Sequence, residues 1–215
     1  MKTLGIIGGM SPESTVTYYS QINRLVNQAK GGNHSAKLLM VSVEFEQIVQ
    51  CQKVGDWQRA GQILADAAQR LEQIGAQGIL LATNTMHKVA DQITAAIQAQ
   101  KVQKVALLGT RFTMQDGFYR NGLRERGISA LVPNAEQQAE IHRIIFEELC
   151  VGKFLPESKQ FYLEVIADLH RQGAQGVILG CTEIGLLIQQ TDFALPFFDT
   201  SQCHTKMAVE FILNG

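Results

Sequence analysis

The sequence has almost no excess of charge of either sign. Its 19 Lys and Arg residues nearly balance 20 Asp and Glu residues, which gives a formal net charge of −1. Surfaces that bind nucleic acid or anionic lipid need a surplus of positive charge. Long apolar runs are also missing, because the longest, such as GVILGC, have the length of a strand. These absences argue against a nucleic-acid partner and a membrane protein, and favour a soluble globular chain.

Cysteine-based signatures and phosphate loops are missing too. The four cysteines, Cys51, Cys150, Cys181 and Cys203, form no CxxC pair and show no metal-finger spacing. We therefore expect no metal, free thiols and a cytoplasmic location. Neither GxGxxG nor GxxxxGK[ST] occurs, which argues against a nucleotide. Lys88, which follows TNTMH, has no context for a pyridoxal Schiff base, and the N-terminal MKTLGIIGGM is interpreted as a buried strand rather than a signal peptide.

What the sequence does contain is an internal repeat. The stretch GAQGILLATNTMH begins at Gly75, and GAQGVILGCTEIG begins at Gly173, so that Thr83 aligns with Cys181. Earlier in each half, TLGIIGG matches KVALLGT in the same order and at a similar offset. Two ordered matches predict two halves of one architecture.

Apolar segments and helical periodicity alternate along each half. A strand over residues 3–8 is followed by Ser11 as helix cap and Pro12 at the first helical position. We expect that helix to reach about residue 29 and to bury Val16, Tyr19, Ile22 and Val26. The run GILLAT predicts a third strand that is buried on both faces. This alternation predicts an α/β fold with two parallel sheets wrapped by helices.

The predicted architecture is two similar α/β halves with parallel four-stranded sheets, related by a pseudo-twofold axis, with the active site in the cleft between them. The first half comprises residues 1–101 and a C-terminal helix over 201–215, and the second comprises 102–200. One element has no counterpart: the second half ends with the strand LPFFDT, whereas the first passes directly from MHKVADQITAAIQAQ into KVQKVALLG. Either the first sheet is one strand short, or a segment near residues 98–102 is omitted, which we favour.

Polar or small residues follow the predicted strands at Gly8-Gly9-Met10-Ser11, Thr83-Asn84-Thr85, Gly109-Thr110 and Cys181-Thr182-Glu183. Ligands bind beyond the carboxyl ends of parallel strands. If the halves face each other, Thr83 and Cys181 oppose one another. Racemising a carbon acid without a cofactor needs an acid and a base on opposite faces of one carbon. We expect a helix N-terminus to lower the thiol pKa of Cys181, whereas Thr83 carries a far weaker acid.

The stretches GIIGGMSPEST, TNTMHK and GCTEIG resemble the aspartate/glutamate racemase family over essentially the whole chain. They are most similar to its bacterial L-aspartate/glutamate-specific subgroup, in which threonine also takes the first catalytic position. The resemblance implies a PLP-independent isomerase, an amino-acid racemase without a cofactor, acting on aspartate or glutamate and forming a homodimer. It also implies a strand and helix between ADQI and the strand near Val105, which is the absence noted above.

Carried over by motif position, the resemblance implies two sets of site residues. Thr83 and Cys181 form the catalytic acid/base pair. The substrate-binding positions are Met10, Gln52, Asn84, Thr85, Thr182 and Glu183.

Two other functions remain open on this scaffold. One is a one-sided carbon-acid enzyme, a decarboxylase or isomerase, that uses only Cys181. The other is a non-catalytic protein that binds acidic amino acids, in which Thr83 marks lost activity.

Overall fold

The structure, a computed structural model, describes residues 1–83, 86–115 and 117–214. It is α/β with two parallel sheets, as predicted. The first sheet has the order β2-β1-β3, formed by β1 Leu4–Gly8, β2 Leu38–Ser42 and β3 Gly78–Leu81. The second has the order β5-β4-β6-β7, formed by β4 Lys104–Leu108, β5 Ser129–Leu131, β6 Gly176–Leu179 and β7 Phe197–Asp199.

The helices connect successive strands. They are α1 Pro12–Lys30, α2 Phe45–Val54, α3 Trp57–Gln73, α4 Met86–Ala99, α5 Arg111–Gln115, α6 Gly117–Glu125, α7 Ala135–Glu147, α8 Pro156–Arg171, α9 Ile184–Leu187 and α10 Thr200–Leu213. Two 3₁₀ helices cover Leu149–Val151 and Gln190–Asp192. No helix of the described residues is long and apolar enough to cross a membrane.

The caps predicted from the sequence start α1 and α7. The Ser11 side chain accepts a hydrogen bond from the Ser14 N–H at 3.3 Å, and Pro12 opens α1. At α7, Asn134 and Gln137 form the reciprocal capping box. Each cap satisfies backbone N–H groups that a helix end leaves without an intrahelical partner.

The predicted buried face of α1 is partly wrong. Ile22 and Val26 are buried, but Val16 and Tyr19 are 63% and 51% exposed. The helix is rotated so that Tyr18 packs inward, in a cluster that also holds Leu4 and Ile6 of β1. The Tyr18 hydroxyl and His204 Nδ1 share a hydrogen bond of 2.9 Å, which gives the buried hydroxyl a partner.

The repeated GAQG stretch forms the same turn in each half. Gly75 and Gly173 have φ of 98° and 100°, in the region that favours glycine. The side-chain oxygen of Gln77 accepts from the Thr3 N–H at 2.8 Å, and that of Gln175 accepts from the Gln103 N–H at 2.9 Å. The glutamines therefore fasten the starts of β3 and β6 to the strands beside them.

The first sheet has three strands among the described residues, so the expected four-stranded first sheet is wrong. In the second sheet β7 pairs with β6, and Val177 and Ile178 of β6 are fully buried. In the described sheet β3 pairs only with β1, and its Ile79 is 39% exposed. The prediction that β3 is buried on both faces is therefore wrong. The strand that the repeat lacks thus changes the environment of its neighbour.

The chain divides into two compact units. One comprises Met1–Thr83 and His204–Gly215, and the other comprises Asn84–Cys203. This division groups α4 with the second unit, whereas the sequence suggested a boundary near residue 101. The predicted domain bounds, the pseudo-twofold axis and the cleft stay predictions.

Candidate active site

The carboxyl end of β6 carries the predicted thiol. Gly180 follows β6 directly, and a side-chain carbon there would lie 2.7 Å from the Leu108 carbonyl oxygen of β4. Only glycine allows the chain to pass so close to the neighbouring strand. The close passage places Cys181, which is 8% exposed, directly at the edge of the sheet where ligands bind in parallel α/β proteins.

Three predicted site residues of the second unit are brought together by one carboxylate. The Cys181 thiol donates to Oε2 of Glu183 at 2.9 Å, and the Thr182 hydroxyl donates to the same oxygen at 2.7 Å. Thr182 and Glu183 are 4% and 2% exposed. Burying a carboxylate costs free energy unless hydrogen bonds replace those lost with water. Here the predicted catalytic thiol is one of the donors that replace them.

This arrangement overturns the expected lowering of the Cys181 pKa. Burial raises the pKa of the thiol well above its usual value, and the Glu183 carboxylate raises it further by charge repulsion and by accepting the thiol proton in a hydrogen bond. Cys150 contributes in the same direction. The helix that follows, α9, has only four residues, so it offers little opposing dipole. Burial and the neighbouring carboxylate therefore favour the thiol over the thiolate at Cys181.

A second buried carboxylate, that of Glu148, belongs to no sequence motif of the site. Glu148 is 5% exposed and accepts hydrogen bonds from Arg143 at 2.7 Å and from the Ser158 hydroxyl at 2.5 Å. The 3₁₀ helix Leu149–Val151, which carries Cys150, packs against α9. Glu148 and Cys150 are therefore linked to the segment that holds Glu183.

The end of β7 was also missed by the sequence analysis. The Thr200 hydroxyl donates to the Leu179 carbonyl oxygen at 2.9 Å, and Asp199 pairs in register with Leu179. Burial raises the pKa of Asp199, while hydrogen bonds from Ser201 and Gln202 oppose that rise. These contacts fix the end of β6 next to Cys181. Their only sequence signal is the DTS stretch after an apolar strand, a pattern typical of a helix cap.

The first unit carries Thr83, Met10 and Gln52. Thr83 is half-buried after β3, with its N–H bonded to the Leu81 carbonyl oxygen at 2.8 Å. Met10 is buried in an apolar cluster with Ile7 and Ile48, and Gln52 is half-buried on α2. The predicted Asn84 and Thr85 lie outside the described residues.

The turn before α1 is tightly built. Gly9 has φ of 92°, and a side-chain carbon there would lie 2.3 Å from the Val43 carbonyl oxygen. The Gly9 N–H donates to the Thr15 hydroxyl oxygen at 2.8 Å. This turn holds Met10 at the carboxyl end of β1, so the position of Met10 follows from the backbone. Among the described residues, no group of three His, Cys, Asp or Glu side chains could hold a metal ion.

The chain is similar to members of one racemase family along nearly its whole length. The sequence model for Asp/Glu/Hydantoin racemases matches residues 7–99 and 95–208. A solved Yersinia pestis structure, classed with the Asp/Glu racemases, is 44% identical with a TM-score of 0.84 and covers 99% of this chain and 100% of that chain. An aspartate racemase homologue from Pyrococcus horikoshii is 35% identical with a TM-score of 0.78, covering 99% and 100%.

A curated relative is more distant. The broad specificity amino-acid racemase of Bacillus subtilis is 22% identical over 233 residues, which cover 98% of each chain. The family match spans nearly all of both units, and the solved structures of 44% and 35% identity share their fold with this chain. The chain therefore belongs to the Asp/Glu/hydantoin racemase family and is an amino-acid racemase, an isomerase.

Proposed function

We propose that this racemase inverts the α-carbon of acidic amino acids, aspartate or glutamate, by proton transfer without pyridoxal phosphate, with Cys181 and Thr83 as its two acid/base groups. The observation that carries the proposal is the buried Cys181–Glu183 pair at the end of β6. The internal repeat supports the second group, since it aligns Thr83 with Cys181. The Pyrococcus horikoshii homologue of aspartate racemase supports an acidic substrate.

The Cys181–Glu183 pair supplies a route for the thiol proton. The thiol already donates to Oε2 of Glu183 at 2.9 Å, so the proton can pass to the carboxylate and leave a thiolate. The thiolate then removes the α-proton of the substrate, the C–H electron pair stays on the α-carbon, and the thiol is restored. The pair holds one proton before the α-proton is removed and two afterwards, so its negative charge passes to the substrate as the carbanion forms.

Thr83 acts on the opposite face of the same carbon. Its hydroxyl gives its proton to the carbanion, the electron pair forms the new C–H bond, and an alkoxide remains. In the reverse direction the alkoxide removes the proton and the thiol of Cys181 returns one. Because a hydroxyl is a much weaker acid than a thiol, the Thr83 step is the slower of the two. Met10, Gln52, Asn84, Thr85 and Thr182 are proposed to bind the substrate, together with Glu183.

Deuterium exchange at the α-carbon tests this function. Each enantiomer of aspartate and glutamate is incubated in D₂O, and exchange and inversion are followed by NMR and chiral chromatography. We expect exchange with inversion. A one-sided enzyme would exchange or decarboxylate a substrate without inversion, and a non-catalytic binding protein would bind without exchange. Either result would replace the proposal.

Cys181→Ser tests the proposed base. We expect loss of at least about 1,000-fold in turnover, because a serine hydroxyl ionises far less readily than a thiol of nearly the same size. Cys203→Ser is the matched control, since it removes a half-buried thiol of α10 and should leave turnover unchanged. Full activity in Cys181→Ser would move the chemistry to another residue.

We also propose a cytoplasmic homodimer. The four cysteines all lie within the described residues and form no disulfide, which suits a reducing compartment. Light scattering coupled to size exclusion gives the mass in solution, and a monomer of 23.7 kDa would contradict the dimer.

A further inference from the structure

One buried polar group has no role in the chemistry described so far. Tyr162 on α8 is fully buried, and its hydroxyl has no hydrogen-bond partner among the described residues. Nearly all buried polar groups in proteins are paired, and a buried hydroxyl left unpaired destabilises the fold. We therefore expect the Tyr162 hydroxyl to form a hydrogen bond in another state of the enzyme.

A series of contacts connects Tyr162 on α8 with the segment that follows Cys181. Ser158 lies one turn before Tyr162 on the same helix, and its hydroxyl contacts Glu148. Residues four apart on a helix share a face, so Tyr162 faces the same side as Ser158. Glu148 immediately precedes the 3₁₀ helix that packs against α9, and Glu183 is the residue directly before α9.

Four acidic groups act on the phenol of Tyr162. Burial raises the pKa of its phenol well above the usual range, and Cys181, Glu183, Cys150 and Glu148 add to that effect, in this order. Arg143 forms hydrogen bonds with Glu140 and Glu148. Since burial and these groups disfavour the phenolate, the Tyr162 hydroxyl acts toward a neighbouring anion as a hydrogen-bond donor.

We propose that Tyr162 is a positioning residue for Cys181: its hydroxyl donates a hydrogen bond to the Cys181–Glu183 pair once the thiol proton has left sulfur. In the resting state the thiol and Thr182 occupy Oε2 of Glu183. When the thiol proton passes to Glu183, the sulfur becomes a stronger acceptor, and the Tyr162 hydroxyl donates to it as a second donor beside the protonated carboxyl.

This hydrogen bond explains how a thiolate can form at the buried Cys181. Burial and Glu183 both oppose thiolate formation at Cys181, and no lysine or arginine is among the groups that shift its pKa. A neutral donor that stays unpaired in the thiol state stabilises only the thiolate state. Such selective stabilisation lowers the barrier to proton transfer, whereas a donor bound equally in both states would not.

Tyr162→Phe tests the inference, which rests on the proposed role of Cys181. The variant keeps the ring and removes only the oxygen. The rate at which iodoacetamide alkylates Cys181 is measured from pH 6 to 10, with the Cys181 peptide followed by mass spectrometry. We expect the pH profile to move to higher pH and the rate at pH 8 to fall about tenfold, the effect of one hydrogen bond to a charged group. Turnover should fall by a similar factor with little change in KM.

Stability separates this role from a structural one. Removing an unpaired hydroxyl should leave the urea midpoint unchanged or raise it, so Tyr162→Phe becomes slower without becoming less stable. Tyr18→Phe is the matched control, because it removes a buried hydroxyl that is paired with His204. It should lower the urea midpoint and leave the alkylation of Cys181 unchanged.

The outcomes are distinguishable from failure of the proposed function. If Cys181→Ser is inactive and Tyr162→Phe is alkylated at the parental rate at every pH, the role of Tyr162 is refuted and that of Cys181 stands. If Cys181→Ser racemises like the parent, the proposed function fails. The alkylation profile of Tyr162→Phe then still decides whether the hydroxyl acts on the thiol.

Discussion

Replacing Glu183 by glutamine should make Cys181 more reactive, although it removes a residue of the proposed site. The carboxylate raises the pKa of the thiol by repulsion and by accepting its proton. The amide is nearly isosteric with the carboxylate, carries no charge and can donate to a thiolate. Both changes favour the ionised form, so the variant should be alkylated faster at neutral pH.

The separation of the two groups sets the size of the effect. Two unit charges 2.9 Å apart repel by about 6 kcal/mol at an effective dielectric constant of about 20. That figure is an upper limit, because the thiolate and the carboxylate would move apart. A quarter of it, about 1.4 kcal/mol, already changes the thiolate fraction tenfold. We therefore expect alkylation at pH 7.5 to be at least about tenfold faster in Glu183→Gln.

Two further variants make the assay specific. Thr182→Val keeps the charge but removes a donor to the same oxygen, so Glu183 accepts the thiol proton more readily along the proposed route and alkylation should become faster. Glu147→Gln removes an exposed carboxylate and should change nothing. Alkylation of Cys181 is followed by mass spectrometry across pH in all three. If Glu183→Gln and the parent share one pH profile, Glu183 does not control the thiol and the proton route proposed above is refuted.

Two more predictions concern the first unit. Thr83→Ala should abolish racemisation, measured by circular dichroism, and parental racemisation in this variant would make Thr83 a helix cap only. Thr83→Cys should raise kcat for the slower enantiomer, while kcat/KM stays equal in both directions because the equilibrium constant is one. Gly9→Ala should lower the free energy of unfolding by at least about 2 kcal/mol through strain and overlap with the Val43 carbonyl oxygen. Gly61→Ala, at an open position of α3, should leave it unchanged or raise it by up to about 1 kcal/mol, and equal urea midpoints for the two variants would contradict this account of the Gly9 turn.

The order of helices and strands followed from the sequence because it depends on local signals. Strand-length apolar runs, Pro12 after Ser11, and the Asn134–Gln137 box each act within a few residues. The inward face of α1 did not follow, since the positions of Tyr18 and Tyr19 are equally apolar in pattern. His204, far away in sequence, provides the partner that selects Tyr18.

The site followed only in part for the same reason. Its residues could be placed at strand ends from the sequence, but the sign of the pKa shift at Cys181 depends on how the Glu183 side chain folds back onto it. The sequence did not indicate Tyr162 as a site residue, because PESKQFYLEV has the pattern of an ordinary buried helix. An unpaired hydroxyl is a property of tertiary packing, and no local pattern encodes it.

The two glutamines of the repeated turn bear on how the halves can change. Gln77 and Gln175 fasten the starts of β3 and β6, and the identical letters GAQG stand at that end of both strands. Thr83 and Cys181, where the halves differ, stand at the other end. Each strand thus has one end that is constrained by folding and one that is open to chemistry. Substitutions at the reactive end can alter the acid/base pair without disturbing the turn that sets the strand register, so a duplicated half can acquire a new proton donor while it keeps its fold.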